Sequence, residues 1–399
     1  MYRGYLIDYR KENDDLYILK NKKSGVYYYS NYVATRVYEL LDKRVSVKEI
    51  VDTLAKEYDA PAYFVEKMVL MAISQIQSKE EAVHWKEESK FPLRVSWRLT
   101  DRCNLKCLHC YATCESEAKQ KELPLETIKA IVDKLEEANI FEISLTGGEI
   151  FVRNDLKEII EYINSKNITL ALFTNATLVL SNYEWLKECH IRRFNISLDG
   201  LEEEHDKLRG KGNFKRTIDA IKLLQKDGAR IVINCVINSL NVHRLVEILH
   251  FFVENKLEFQ FSLMTPIGRG ADNIDIVPKK EVYMEAVKKL QEEYERLKIA
   301  GFIHNAYTGE DLQIDEDGET TVSEDKWVCN AGTTKFDIDV NGDVYCCPFS
   351  KSSFVGNIVE KNVKELWENE SRFNFINFTK TYNGRFCKPI GDTMNEQNK

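Results

Sequence analysis

Between Leu93 and Ile299 six strand-like apolar runs alternate with helix-length amphipathic segments, and this alternation limits the possible folds more than any other feature of the chain. The runs are Arg94–Leu99, Phe141–Thr146, Thr169–Thr174, Arg193–Leu198, Arg230–Asn238 and Glu258–Leu263. Among the intervening segments, Phe214, Ile218 and Ile221 share one helical face, and Gly228 suits the C-terminal cap that follows. Repeated β–α units imply a parallel sheet joined by right-handed crossovers. Six strands fall short of the eight of a closed barrel, so the pattern predicts an α/β fold with a partial (β/α)6 barrel. In such sheets the chemistry lies beyond the C-terminal strand ends.

The flanks read differently. Residues 1–80 hold three short β-prone runs, Tyr5–Tyr9, Leu16–Leu19 and Val26–Tyr29, and then three helical patterns. Val33, Val37, Leu40 and Leu41 fall at helical spacing, Ser46 to Glu49 is a capping box, and Pro61 opens the third helix. Three strands before three helices predict a winged-helix-like α+β domain. Residues 81–92 read as a polar linker and 93–305 as the barrel. Residues 306–399 read as a small cysteine-bearing module without a large core of its own. In it Phe336, Ile338 and Val340 alternate with Asp337 and Asp339, and Asn341-Gly342 marks a hairpin.

Net charge and cysteine usage narrow the setting. With 56 basic and 64 acidic side chains the chain carries −8, and residues 1–90 hold as many acidic as basic groups, so the basic face of a DNA-binding domain is missing. A cluster-bearing DNA-binding regulator is the remote alternative. Charged residues interrupt the first twenty positions, and no apolar run approaches the roughly 20 residues that span a bilayer. We therefore expect a cytoplasmic protein with no nucleic-acid or membrane partner. In a reducing compartment, ten cysteines, eight of them gathered into two groups of four, suggest metal rather than disulfides.

The first group is Cys103-Asn-Leu-Lys-Cys107-Leu-His-Cys110, directly after the first barrel strand. Three thiolates on one loop can hold three irons of a cubane and leave the fourth open; a structural zinc site with Cys114 as fourth ligand is the competing reading. After the second strand comes Thr146-Gly147-Gly148-Glu149. Its glycines let backbone approach a ligand closely, and the carboxylate can take an ammonium, which suits an amino-acid moiety.

The CxxxCxxC loop followed by Tyr111, together with Gly147-Gly148-Glu149, resembles the radical S-adenosylmethionine (SAM) superfamily over about residues 93–299. The resemblance implies a 4Fe–4S cluster on Cys103, Cys107 and Cys110 whose open iron chelates SAM. Reductive cleavage of SAM would then give a 5′-deoxyadenosyl radical. It also implies that Thr174, Asn175, Ser197 and Asp199 face SAM, that Arg209 pairs with its carboxylate, and that His109 and the loop Pro266–Gly270 lie near the adenine. On the fifth strand Asn234, Val236 and Asn238 have the parity of the site, so Cys235 is assigned to the core; Cys189 is assigned a structural role.

The tail resembles a SPASM or twitch auxiliary-cluster domain through Cys329-Asn-Ala-Gly, Asn341-Gly342, Cys347-Pro348, Gly356-Asn-Ile358 and Glu365-Leu-Trp367. Its cysteine count permits one auxiliary cluster, on Cys329, Cys347 and Cys387, with Cys346 doubtful as a fourth ligand. Residues 1–80 resemble a RiPP recognition element, the module that binds leader peptides of ribosomally made precursors. Val26, Tyr27, Tyr28 and Tyr29 are then the edge strand that accepts the peptide by β-augmentation. Together these resemblances imply a radical SAM peptide maturase fed by flavodoxin or ferredoxin. Thioether cross-linking of a cysteine sulfur to carbon is the preferred outcome. Epimerisation and carbon–carbon cross-linking are the alternatives.

Overall fold

The computed structural model describes residues 7–12, 16–21, 27–43, 45–77, 91–299, 301–304, 311–314, 320–322 and 331–381. The chain divides into two compact units, residues 1–90 and 91–399.

The first unit begins with an antiparallel sheet of β1 (Ile7–Lys11), β2 (Tyr17–Asn21) and β3 (Tyr27–Ser30), in that order, so β3 is an edge. Helices α1 (Tyr32–Asp42), α2 (Val47–Glu57) and α3 (Ala62–Gln77) follow. The expected capping box forms: the Glu49 amide donates to Ser46, and Glu49 accepts from the Ser46 amide at 3.1 Å. One core of Leu19, Val37, Ile50, Leu54, Val65 and Val69 holds sheet and helices together.

The second unit is built on one nine-stranded sheet. Its parallel part runs β4 (Arg94–Arg98), β5 (Glu142–Thr146), β6 (Thr169–Thr174), β7 (Arg193–Ser197), β8 (Ile231–Ile237) and β9 (Glu258–Leu263), in sequence order. These are the six strands of the partial barrel. The crossover helices include α4 (Leu125–Glu137), α5 (Leu156–Asn164), α6 (Val179–Leu186), α7 (Glu202–Arg209), α8 (Asn213–Lys226) and α9 (Leu245–Glu254). On α4, Ile128, Ile131, Val132 and Leu135 form the buried stripe. Gly228 ends α8 at φ +75°: its amide donates to Gln225 and that of Ala229 to Leu224, closing the helix as a Schellman cap. Cys235 is fully buried in the core, as its parity requires.

The small cysteine-bearing tail is joined to the barrel through its sheet. Past three short strands, β10 (Gly301–His304), β11 (Asp311–Ile314) and β12 (Thr320–Val322), the chain returns to the barrel. Strand β13 (Lys335–Ile338) pairs in parallel with β4, and β14 (Asp343–Tyr345) and β15 (Phe354–Asn357) extend the sheet antiparallel. The register sets Lys335 opposite Arg94 and Asp337 opposite Ser96. Alternation then sends Phe336 and Ile338 to the same side as Val95 and Trp97, into the core that also holds Ile143, Leu366 and Trp367. The tail satisfies the open edge of β4 and shares its apolar layer, so it is part of the barrel wall. A chain ended after residue 330 would expose that edge and the Phe336 packing site. We expect it to lose cooperative thermal unfolding and to aggregate, as scanning calorimetry and gel filtration would register.

Candidate functional site

The loop that leaves β4 is fixed by backbone contacts before any cofactor is considered. The amide of Leu99 donates to Thr146 (2.9 Å), that of Gly148 to Thr100 (2.8 Å) and that of Glu149 to Arg102 (2.9 Å). A Cβ on Gly148 would lie 2.1 Å from the Arg102 carbonyl oxygen, and one on Gly147 2.7 Å from that of Thr100. The two glycines are therefore demanded by the close approach of the two loops. The amides of Gly148 and Glu149 are spent on that approach and are not offered to a ligand.

Glu149 also differs from expectation. It is fully buried, with its carboxylate accepting from the amides of Phe151 (3.2 Å) and Asn175 (2.8 Å) and the hydroxyl of Thr174 (2.8 Å). Burial pushes its pKa up to about 7 against those hydrogen bonds. It fastens the end of β6 to the turn instead of taking an ammonium.

Further clamps hold the far side of the loop. Arg269 donates from its side chain to the carbonyls of Cys107 (3.1 Å) and Cys114 (2.7 Å), and from its amide to Cys110 (2.9 Å). Arg153 reaches the carbonyl of Leu99 (2.9 Å), and Asp101 accepts from the amides of Lys119 and Gln120 (3.0 Å each). Gly268 takes φ +62°, where a Cβ would meet the Tyr111 carbonyl at 2.2 Å. The Gly-Arg-Gly run expected beside an adenine thus works as a staple for the cysteine loop.

Cys103, Cys107 and Cys110 line one cavity of about 760 Å³. Burial pushes the Cys103 thiol up to about 12, and the neighbouring Cys107 and Cys110 add to the rise. Burial raises Cys107 as well, although the Arg209 guanidinium opposes it. Cys114 donates to Cys110 and holds that thiol below its usual range. Burial makes the Cys103 and Cys107 thiolates costly without a soft cation, and together with Cys110, already favoured as a thiolate, they are the donor set an iron–sulfur cluster needs. Among the described residues no three His, Cys, Asp or Glu side chains close on a single ion position, so the three thiols suit a multi-iron cluster better than one zinc. Asn175 Nδ2 stands 4.0 Å from Cys103 Sγ, and the Leu105 amide donates to the same sulfur at 3.4 Å.

Beyond Cys107 lies a buried charged group. Arg209 donates Nε to Asp199, Nη1 to Cys107 Sγ (3.8 Å), and sits with Nη2 3.2 Å from His109 Nε2. Asp199 is fully buried, away from the cavity, and accepts from the Val236 amide at 2.9 Å. Burial raises its pKa, but Arg209 outweighs this and keeps the carboxyl below its ordinary value. So Asp199 does not line the cavity, while Arg209 does, its guanidinium held by Asp199, Cys107 and His109. Burial lowers His109 to about 4, leaving it neutral, and its Nδ1 has no hydrogen-bond partner although the residue lines the cavity. That orphaned polar atom fits a ligand such as an adenine. Thr174, Asn175, Ser197, Gly147, Gly148 and Tyr111 line the cavity as expected.

The C-terminal strands form the opposite wall. Ala331, Lys335, Asp337, Cys347, Pro348 and Phe349 line it, and the rings of Tyr111 and Phe349 meet edge to face at 5.1 Å. Cys346 packs into the core instead, which removes it from the cavity. Cys329, Cys387 and Val26 lie outside the described residues, and of Tyr27, Tyr28 and Tyr29 the backbone pairing alone is described. The sequence reading missed Arg269, Arg153 and Asp101 as supports of the loop, and Arg94, Ser96, Lys335 and Asp337 as cavity residues. For the last four the signal was present in strand parity.

Comparison with known proteins places these features. A profile described as the Radical SAM superfamily matches residues 97–252, one for coenzyme PQQ synthesis protein D (PqqD) residues 17–80, and one for a SPASM iron–sulfur cluster-binding domain residues 329–389. The chain is 33% identical to the Fe-coproporphyrin III synthase of Methanosarcina barkeri over 52% of this chain and 53% of that protein, so it spans about half of that relative's length. It is 29% identical to the mycofactocin maturase MftC of Mycobacterium tuberculosis over 71% of this chain and 72% of that one. It is 30% identical to the antilisterial bacteriocin subtilosin biosynthesis protein AlbA of Bacillus subtilis over 70% and 60%. The crystal structure of Streptococcus suis SuiB bound to precursor peptide SuiA superposes with a TM-score of 0.61 at 16% identity, covering 93% of this chain and 89% of that one, a likeness of fold.

Gly148→Ala tests the loop contact. We expect the variant to fold yet retain less than half of the iron and acid-labile sulfide of the native protein, with a matching loss of visible cluster absorbance.

Proposed function

The chain belongs to the radical SAM superfamily, with a PqqD domain before its barrel and a SPASM domain after it, and from that premise we propose that it is a maturase of a ribosomally made precursor peptide. The N-terminal unit carries the peptide reading: its profile match coincides with a sheet in which β3 is an edge among the described strands. An edge strand accepts an extended peptide through main-chain hydrogen bonds. The similarity to a protein named as a mycofactocin maturase and to one named for biosynthesis of the bacteriocin subtilosin supports the same reading.

When bound, the cluster and SAM supply a 5′-deoxyadenosyl radical that removes a hydrogen atom from the substrate. The chain holds and shields that chemistry. Cys103, Cys107 and Cys110 hold the cluster. Arg209 sets a fixed positive charge against the Cys107 sulfur, and Asp199 fixes the guanidinium in turn. Ser197, Thr174, Asn175 and the neutral His109 give SAM polar edges, while Leu105, Phe173, Met264 and Phe349 keep water from the cavity. Leader binding raises the effective concentration of the core peptide at the barrel without new contacts at the reacting centre.

Within this class we favour thioether formation between a substrate cysteine and a carbon. The C-terminal cysteines favour it; a single auxiliary cluster on Cys329, Cys347 and Cys387 would assist it. A cytoplasmic setting and a flavodoxin or ferredoxin donor complete the proposal. No described helix is long and apolar enough to cross a membrane.

Two variants test the reading. Cys103→Ala is expected to abolish dithionite-driven release of 5′-deoxyadenosine. Deletion of residues 1–80 is expected to cut peptide modification more than about 100-fold while sparing slow, peptide-independent SAM cleavage, since only tethering is lost. A truncated enzyme that modifies full-length precursor at the native rate would refute leader recognition by this unit.

A further inference from the structure

The cavity does not end at the cysteine loop. It continues down the barrel wall between β4 and β13, where Arg94, Ser96, Lys335 and Asp337 line it. Register explains the meeting: Lys335 lies opposite Arg94 and Asp337 opposite Ser96 on neighbouring parallel strands, so all four side chains take the lumen face.

Asp337 is the unusual member. It is 7% exposed, and its Oδ2 accepts no hydrogen bond among the described residues. Lys335 Nζ stands 3.5 Å from Oδ1 and 3.3 Å from Oδ2, loose distances for a charge-assisted bond. Two residues further along, Asp339 has a close partner, with Arg98 at 2.6 Å. The other described carboxylates with an unpartnered buried oxygen, Asp101 and Glu204, do not line the cavity. Nor is Asp337 remote from the cluster loop: Tyr111, next to Cys110, feels the charges of both Asp337 and Cys110.

We propose that Asp337 is a catalytic residue of peptide modification, whose Oδ2 accepts the hydrogen bond and then the proton of the substrate cysteine thiol. The inference rests on the maturase reading above. The step is a proton transfer alone: the S–H bond breaks, an O–H bond forms on Asp337, and the electron pair stays on sulfur as a thiolate. Lys335 and Arg94 stand beside the thiolate so formed.

Two properties of the site agree with this role. Burial raises the Asp337 pKa above its ordinary value, and the opposing Lys335, Ser96 and Arg94 do not cancel it, so the carboxylate is a stronger base than in water. A carboxyl raised on folding also costs stability at neutral pH, a cost relieved as pH falls through its folded value. A purely structural residue at this position would be better neutral.

The test uses the anaerobically reconstituted full-length holoenzyme with the cysteine-bearing peptide encoded beside its gene. Asp337→Asn is expected to lower the rate of peptide modification about 100-fold or more. It should leave the melting temperature no lower and peptide-free SAM cleavage unchanged, and Asp337→Glu should recover part of the rate. The acid limb of the native pH–rate profile should vanish in Asp337→Asn; Lys335, Arg94, Ser96 and Tyr111, which act on the group, and Tyr345, opposite it in register, stay the same in both proteins. Modification by Asp337→Asn within about threefold of native would overturn the role, as would parallel loss of SAM cleavage and thermal stability, which marks a structural part. If the native enzyme leaves the peptide untouched, the maturase reading fails first and the role of Asp337 falls with it.

Discussion

Everything at the site hangs on one close approach of two backbones. Gly147 and Gly148, at the tip of the second barrel strand, lie against Thr100 and Arg102 so tightly that no Cβ fits between them. That contact sets where Cys103 stands. The staple from Arg269 sets where Cys107 and Cys110 stand. Burial penalises the Cys103 and Cys107 thiolates that the loop must form, so the loop depends on contacts from outside itself. Its geometry is paid for by neighbours that are already rigid: β5 and its turn on one side, the segment after β9 on the other. The cysteine loop is thus held by rigid neighbours on both sides, which is what placing a reactive cofactor against a substrate demands.

The second consequence is the wall built by the tail. A six-stranded partial barrel has an open edge at β4, and β13 closes it in parallel register. Because the added strand alternates like its neighbour, it contributes Phe336 and Ile338 to the core and Lys335 and Asp337 to the lumen. One strand therefore serves stability and chemistry at once. The cavity acquires two unlike ends: thiols, glycines and a fixed guanidinium near the strand tips, and a mixed-charge group deeper down. A cofactor that carries its own reactivity needs the first end, and a substrate that must be held and deprotonated needs the second.

Much of this was legible in the sequence because it followed from periodicity or from dense spacing. All six barrel strands lie within two residues of their expected bounds, and the Ser46 capping box and the Gly228 cap form as read. The parity of β8 correctly sent Cys235 to the core. The three cysteines share one cavity, as a loop of that spacing requires. The misreadings have a common cause. Glu149 and Asp199 were expected to face a ligand because residue chemistry and the family resemblance imply it, but each is satisfied inside the protein, by partners 26 and 37 residues away in sequence, whereas Arg209 does line the cavity, its guanidinium held by Asp199. Spacing along the chain does not show which charges pair with each other. The pairing of β13 with β4 spans more than 230 residues, and no local pattern predicts it.

Peptide maturation is the central claim, and the intact mass of the product tests it most directly. The peptide encoded beside the gene would be co-expressed anaerobically with the enzyme in heavy water, back-exchanged and weighed. Loss of two hydrogens per event, with no retained deuterium, is the predicted result. A peptide of unchanged mass recovered beside an enzyme that cleaves SAM at full rate would contradict it. A gain of one non-exchangeable deuterium would keep the maturase and replace cross-linking with epimerisation.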